Sequence, residues 1–121
     1  MWARVVEVML GCWLALSPFI FAHAANETAL WGNDLFSAAA IIALALCSFW
    51  RPWQYAHLGI FGVGLWLVMS GYFAPTPPPP ASQNHVVIGL LLLMFAIIPN
   101  DASCPPDSWR DFRVTPERAP E

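Results

Sequence analysis

The chain has 121 residues, 58% of them hydrophobic and only 11% charged, against about 25% charged in an ordinary soluble domain. Seven Trp, eight Phe and five basic residues, all arginine, leave too little polar surface to cover a small soluble domain, whose surface-to-volume ratio is high. A net charge of −3 without a basic patch excludes nucleic-acid binding, so the expected solvent and first partner is a lipid bilayer.

Four apolar stretches follow one another. The first, Val5 to Ala22, is broken only by Glu7 and is long enough for about 27 Å of helix. The second, Leu35 to Trp50, is opened by Asn33-Asp34, read as cap residues, and closed by Arg51-Pro52. The third, Tyr55 to Ala74, stops at Pro75 and the run Pro77 to Pro80, which reads as a stiff polyproline spacer. The fourth, Val86 to Ile98, holds 13 apolar residues before Pro99. That is about 20 Å of helix, so it must borrow Ser82 to His85 or lie in thinned bilayer.

All five arginines fall on one side of this arrangement. Arg4 precedes the first span, Arg51 lies between the second and third, and Arg110, Arg113 and Arg118 follow the fourth. Basic residues mark cytoplasmic segments, so both termini and the Arg51 turn are expected inside and the loops His23 to Gly32 and Pro75 to Asn84 outside. Trp2, Trp31, Trp50, Trp53, Tyr55 and Tyr72 fall near helix ends, where amphipathic rings favour the headgroup layer. Arg4, the apolar run and Ala22-His23-Ala24 imitate a cleaved secretory signal. Glu7 inside the run and the repeat described next argue against cleavage.

A shift of 53 residues sets Gly11, Trp13, Leu14 and Ser17 on Gly64, Trp66, Leu67 and Ser70; a shift of 51 sets Asn33 on Asn84 and Ala38 on Gly89. One helix pair is used twice. Two spans per unit preserve orientation, so the copies are expected to be related by a pseudo-twofold axis along the membrane normal. The expected fold is all-α, a four-transmembrane-helix bundle of two tandem two-helix repeats, residues 1–52 and 53–99, followed by an irregular cytoplasmic tail, 100–121.

The copies read Gly11-Cys12-Trp13-Leu14-Ala15-Leu16-Ser17-Pro18-Phe19 and Gly64-Leu65-Trp66-Leu67-Val68-Met69-Ser70-Gly71-Tyr72. At these residues the chain resembles the SPW repeat family of small bacterial integral membrane proteins, marked by Gly-x-Trp-Leu, then Ser-Pro-Trp, then Asn-Asp at the next helix. Phe19 and Tyr72 stand for the motif Trp, Gly71 for its Pro, and His85 for the second Asp. The resemblance implies a four-helix protein of the bacterial inner (cytoplasmic) membrane and brings no established reaction.

The motif residues read first as structural. Gly11 with Ala15, and Gly59, Gly62 and Gly64, form contact faces on which helices approach closely. Pro18 removes a helical donor and Ser17 can bond back to a carbonyl, together ending or bending the first helix, a turn that Gly71 allows by flexibility in the second copy. Trp13 and Trp66 read as packing anchors rather than a quinone platform. Asn33, Asp34 and Asn84 read as helix caps. His85 caps poorly and, by pseudo-symmetry, faces Asp34; with His23 and Glu27 this pair outlines a weaker metal or proton-linked alternative. Glu7 is read as satisfied by Arg4 one turn earlier, and His57 as the interfacial counterpart of Arg4.

Cys12, Cys47 and Cys104 make no paired redox or metal motif, and neither a Ser-His-Asp spacing nor a Gly-rich phosphate loop is present. No cofactor, metal or catalytic residue is expected. Trp109 and Phe112, aromatics in a polar tail, are candidates for partner docking or surface anchoring. The functional expectation is a non-enzymatic accessory or scaffolding subunit associated with other membrane proteins. A small transporter or channel acting as a homo-oligomer is the alternative.

Overall fold

The computed structural model describes residues 2–101 and Trp109. Four helices and no strand occur among the described residues: α1 (Trp2–Ile20), α2 (Thr28–Cys47), α3 (His57–Phe73) and α4 (Ala81–Ala96), with a short 3-10 turn (Arg51–Trp53) at the junction of the two halves. Each helix packs on its neighbours in the order α1, α2, α3, α4 and back to α1, with the most extensive packing inside the pairs α1/α2 and α3/α4. The chain therefore runs up and down around a four-helix ring. The tail beyond Asp101, with Cys104, Arg110, Phe112, Arg113 and Arg118, lies outside the described residues; Trp109 is exposed.

Helix boundaries depart from the sequence expectation at two starts. α2 begins at Thr28 and α4 at Ala81, so Asn33, Asp34, Asn84 and His85 lie within helices; the cap positions, Glu27 and Pro80, make no side-chain cap bond. The polar side chains are used laterally instead of along the axis. α4 thus takes in Ser82 to His85, and its 16 residues span about 24 Å. Pro18 does not end α1, which continues to Ile20. Arg51-Pro52 does not close α2 either; the helix ends at Cys47, where the Ser48 hydroxyl donates to the Ala45 carbonyl at 2.7 Å.

The buried centre is small and built from equivalent positions. Leu14 and Leu67, Ala38 and Gly89, Ile41 and Leu92, and Ala45 and Ala96 are partners at the shifts of 53 and 51, and all are buried. Close approach is equivalent as well. A Cβ on Gly11 would meet Ala38, Ile41 and Ile42; one on Gly64 would meet Gly89, Leu92 and Leu93, the residues 51 further along. Gly64 and Gly89 face each other backbone to backbone, a Cβ on Gly89 falling 2.7 Å from the Gly64 carbonyl oxygen and 2.9 Å from the Val68 nitrogen. Gly71 supplies close packing rather than a turn: a Cβ there would lie 2.8 Å from the Ser82 carbonyl oxygen, so glycine lets α4's first turn sit against α3.

At the end opposite the two long loops, Arg4 reaches across the ring. Its guanidinium donates to the carbonyls of Phe95 and Ile98 at 2.8 and 2.9 Å, placing a cation at the carbonyl-rich end of α4. Nη2 also lies 3.2 Å from Glu7, both side chains fully buried. Glu7 is matched by Arg4 as charge, but among the described residues neither carboxylate oxygen receives a hydrogen bond. Asn100 ties the same end together, donating to the carbonyls of Ser48 and Gln54 at 2.9 and 3.1 Å.

Gly89→Ala is expected to lose about 1–3 kcal/mol, because backbone rather than a movable side chain blocks the new methyl. Gly62→Ala, whose Cβ meets nothing within 4 Å, should instead be neutral or gain up to about 1 kcal/mol through helix propensity. Denaturant or thermal unfolding of the two variants checks the contrast.

Candidate functional site

The polar residues of the repeats converge at the end carrying the two long loops. α1 ends in a Schellman turn: Ala22 adopts a left-handed conformation, φ 51°, and the His23 N–H donates to the Pro18 carbonyl at 3.0 Å. The chain reversal swings His23 over the bundle end. There His23 Nε2 lies 3.3 Å from Asp34 Oδ2. From the other side His85 Nε2 meets Asp34 Oδ1 at 2.7 Å, and the Asn33 amide lies 3.3 Å from the same oxygen. Asp34 is fully buried and His85 is 1% exposed.

Asp34 and His85 occupy equivalent positions, 51 residues apart. Two equivalent residues in direct contact must lie close to the axis relating the two halves, so the single carboxylate serves both. The expected Asp-His pair is formed, and His23 joins it from outside the repeat pattern. Glu27 does not: its carboxylate accepts the Ala24 N–H at 3.0 Å and stays in its own loop.

Around this centre two further links cross between the repeats. Trp13 Nε1–H donates to Asn84 Oδ1 at 2.9 Å, and Trp66 Nε1–H to Asn33 Oδ1 at 2.8 Å. Each indole belongs to one copy and its acceptor to the other. Asn84 also donates to the Ser17 hydroxyl at 3.1 Å, while Ser17 donates back to the Trp13 carbonyl at 3.0 Å, closing a small circuit on the α1/α4 side. On the α2/α3 side the Ser70 hydroxyl, among the described residues, bonds only within its own helix, to the Leu67 carbonyl at 3.2 Å. Trp13 and Trp66 are 44% and 59% exposed, so they are not the packing anchors expected. The ring lies on the surface and the indole N–H does the anchoring.

Chemically, the centre offers a buried carboxylate to which two imidazole Nε2 atoms and a side-chain amide are turned. Among the described residues no group of three or more His, Cys, Asp or Glu is placed to hold a metal ion. With Nε2–H aimed at Asp34, each imidazole spends its donor on the carboxylate. His85 Nδ1 is buried without a partner among the described residues. The arrangement surrounds and orients a carboxyl group inside an apolar bundle. Cys12, on α1, and Cys47, on α2, are free thiols.

The crossed Trp–Asn pairing could have been found from the sequence, since Trp and Asn recur together in both copies at fixed shifts. The Arg4 reach to Phe95 and Ile98 had no such signal.

The SPW repeat domain matches residues 1–99. The chain belongs to the SPW repeat family. Neither the curated proteins nor the solved structures contain a match to it. In this SPW repeat protein the motif Trp and the Asn of the following helix are thus hydrogen-bond partners across copies, not within one.

A double-mutant cycle of Trp13→Phe with Asn84→Leu should show a coupling of about 0.6–1.5 kcal/mol. The cycle of Trp13→Phe with Asn33→Leu, residues of different pairs, should show close to none. Unfolding free energies of the single and double variants give both values.

Proposed function

We propose that this SPW repeat protein is a non-catalytic, four-span membrane bundle, its pseudo-twofold axis along the membrane normal, that serves as an accessory or scaffolding subunit of a membrane assembly. The observation that carries this reading is an inverted distribution of polarity. Arg4, Glu7, Asp34, His57 and His85 are buried, while Phe36, Tyr72, Phe19 and Met9 are among many large apolar side chains left exposed. In water that arrangement loses on both counts; in hydrocarbon it is the favourable one. α1 and α2 are long and apolar enough to cross a bilayer, and α3 and α4 are shorter apolar helices. At about 24–25 Å, α3 and α4 would draw on local thinning and on flanking aromatics such as Tyr55, Tyr72 and Phe73.

Arg4 and Arg51 lie at the end away from the Asp34 centre. By the positive-inside bias this supports cytoplasmic termini, with the loops around His23 and Pro77 outside, in a bacterial cytoplasmic membrane. The Asp34 centre binds the halves together and presents no open reactive group, which supports a scaffolding role over a catalytic one. Lipid is one partner on this reading, and other membrane subunits are the second.

The membrane reading predicts that alkaline carbonate washing leaves the chain in the membrane pellet, and the accessory reading that mild-detergent extraction brings down a fixed ratio of foreign subunits. Release by carbonate contradicts the first. Extraction of the chain alone contradicts the second.

A further inference from the structure

We infer that the open groove between α2 and α3 is the seat of a second copy of this chain, making a closed twofold dimer within the membrane. This inference rests on the membrane-spanning reading above.

The groove encloses about 570 Å³ and is walled by Gly32, Phe36, Ser37 and Ala40 of α2 and by Gly59 and Gly62 of α3. Its glycines are of two kinds. Gly59 is held tight by its own chain, a Cβ there falling 3.1 Å from Leu44, whereas Cβ atoms on Gly32 and Gly62 would meet nothing within 4 Å. Gly11, Gly64, Gly71 and Gly89 are small because this chain's own helices press on them. Nothing in the folded chain requires glycine at 32 or 62, and glycine weakens a helix relative to alanine. Space left open at that cost suits a backbone approaching from another molecule, the way helices associate in lipid.

Ser37 supplies the independent observation. It is 3% exposed, lines the groove, and has no hydrogen-bond partner among the described residues. It is the tenth residue of the twenty in α2, about 13 Å from the helix start. At that depth lipid is hydrocarbon and offers no hydrogen-bonding atom. A partner for the hydroxyl must then come from protein. A hydroxyl both donates and accepts, so Ser37 of one copy can serve Ser37 of another across a twofold axis. Phe36, 77% exposed at the groove edge, provides the knob that a facing groove of the same kind would receive.

The second repeat explains why association would stop at two. The equivalent α1/α4 face carries Val6, Met9 and Leu91 where the groove has Gly59, Gly62 and Ala40, and Ile88 where it has Ser37. Only one of the two equivalent faces keeps both the small residues and the hydroxyl. A single self-complementary face gives a closed dimer, not a filament.

The test is energy transfer between donor- and acceptor-labelled full-length chains in phosphatidylcholine vesicles, titrated with added lipid. The wild type should saturate as a two-copy species. Gly62→Leu should weaken association by at least about tenfold, with thermal stability of the fold retained because the new side chain enters open space. Ser37→Ala should also weaken association, which keeps the test decisive if Gly62→Leu fails to fold. Met9→Leu, on the equivalent face, should associate like the wild type. A monomeric or higher-order wild type overturns the inference, as does a Met9→Leu loss equal to that of Gly62→Leu. So does unchanged association of Gly62→Leu or Ser37→Ala. Carbonate extraction of the same samples fails only if the membrane reading fails, so the two failures are distinguishable.

Discussion

A carboxylate buried in an apolar bundle must be met by donors, and that requirement at Asp34 organises the rest of the molecule. Isolated, the ionised group would be too costly to bury, and removing one member of a buried charge pair typically costs about 3–5 kcal/mol. His85 comes from the other repeat and His23 from the loop after α1, so satisfying Asp34 fixes three parts of the chain at once. On the membrane-spanning reading, apolar packing alone is a weak orienting force, because lipid tails are as apolar as leucine. The polar centre and the two crossed indole–asparagine bonds supply the register that the small core of Leu, Ile and Ala cannot.

Duplication with divergence explains why such a centre exists. A strict twofold would bring two identical side chains together at the axis, two aspartates repelling each other or two histidines without a carboxylate between them. Here the equivalent positions hold an acid and an imidazole, and the contact becomes attractive. The opposite end shows the same logic. Arg4 and His57 are equivalents, but Glu7 is matched by Ile60, so only the first copy carries the ion pair and only Arg4 reaches the carbonyls that end α4.

Much of this was legible in the chain. Apolar runs located all four helices, the shifts of 53 and 51 named the residues that proved equivalent, and His85 was expected to face Asp34. The illegible parts have physical reasons. Asn33 and Asp34 carry a cap signature, and nothing local says that four more residues, Ala29 to Gly32, continue the helix backward toward Thr28. Pro18 reads as a helix end or bend, but one lost hydrogen bond within a packed helix does not end α1 before Ile20. The Arg4 bonds to Phe95 and Ile98 span 91 and 94 residues, and single-chain periodicity carries no information about which face meets which at that distance. The groove glycines looked like their buried counterparts because sequence cannot tell a glycine pressed by its own chain from one facing open space.

The central claim, that the Asp34–His85 contact holds the two repeats in register, is tested most directly by exchanging its members. Asp34→His and His85→Asp should each destabilise the bundle by several kcal/mol, about the 3–5 typical of a broken buried pair, the first leaving imidazoles without their carboxylate and the second placing carboxylates together. The double exchange should recover most of that loss in thermal unfolding, since the positions are equivalent about the axis. Single variants that unfold like the wild type, or a double variant no more stable than either, would contradict the account.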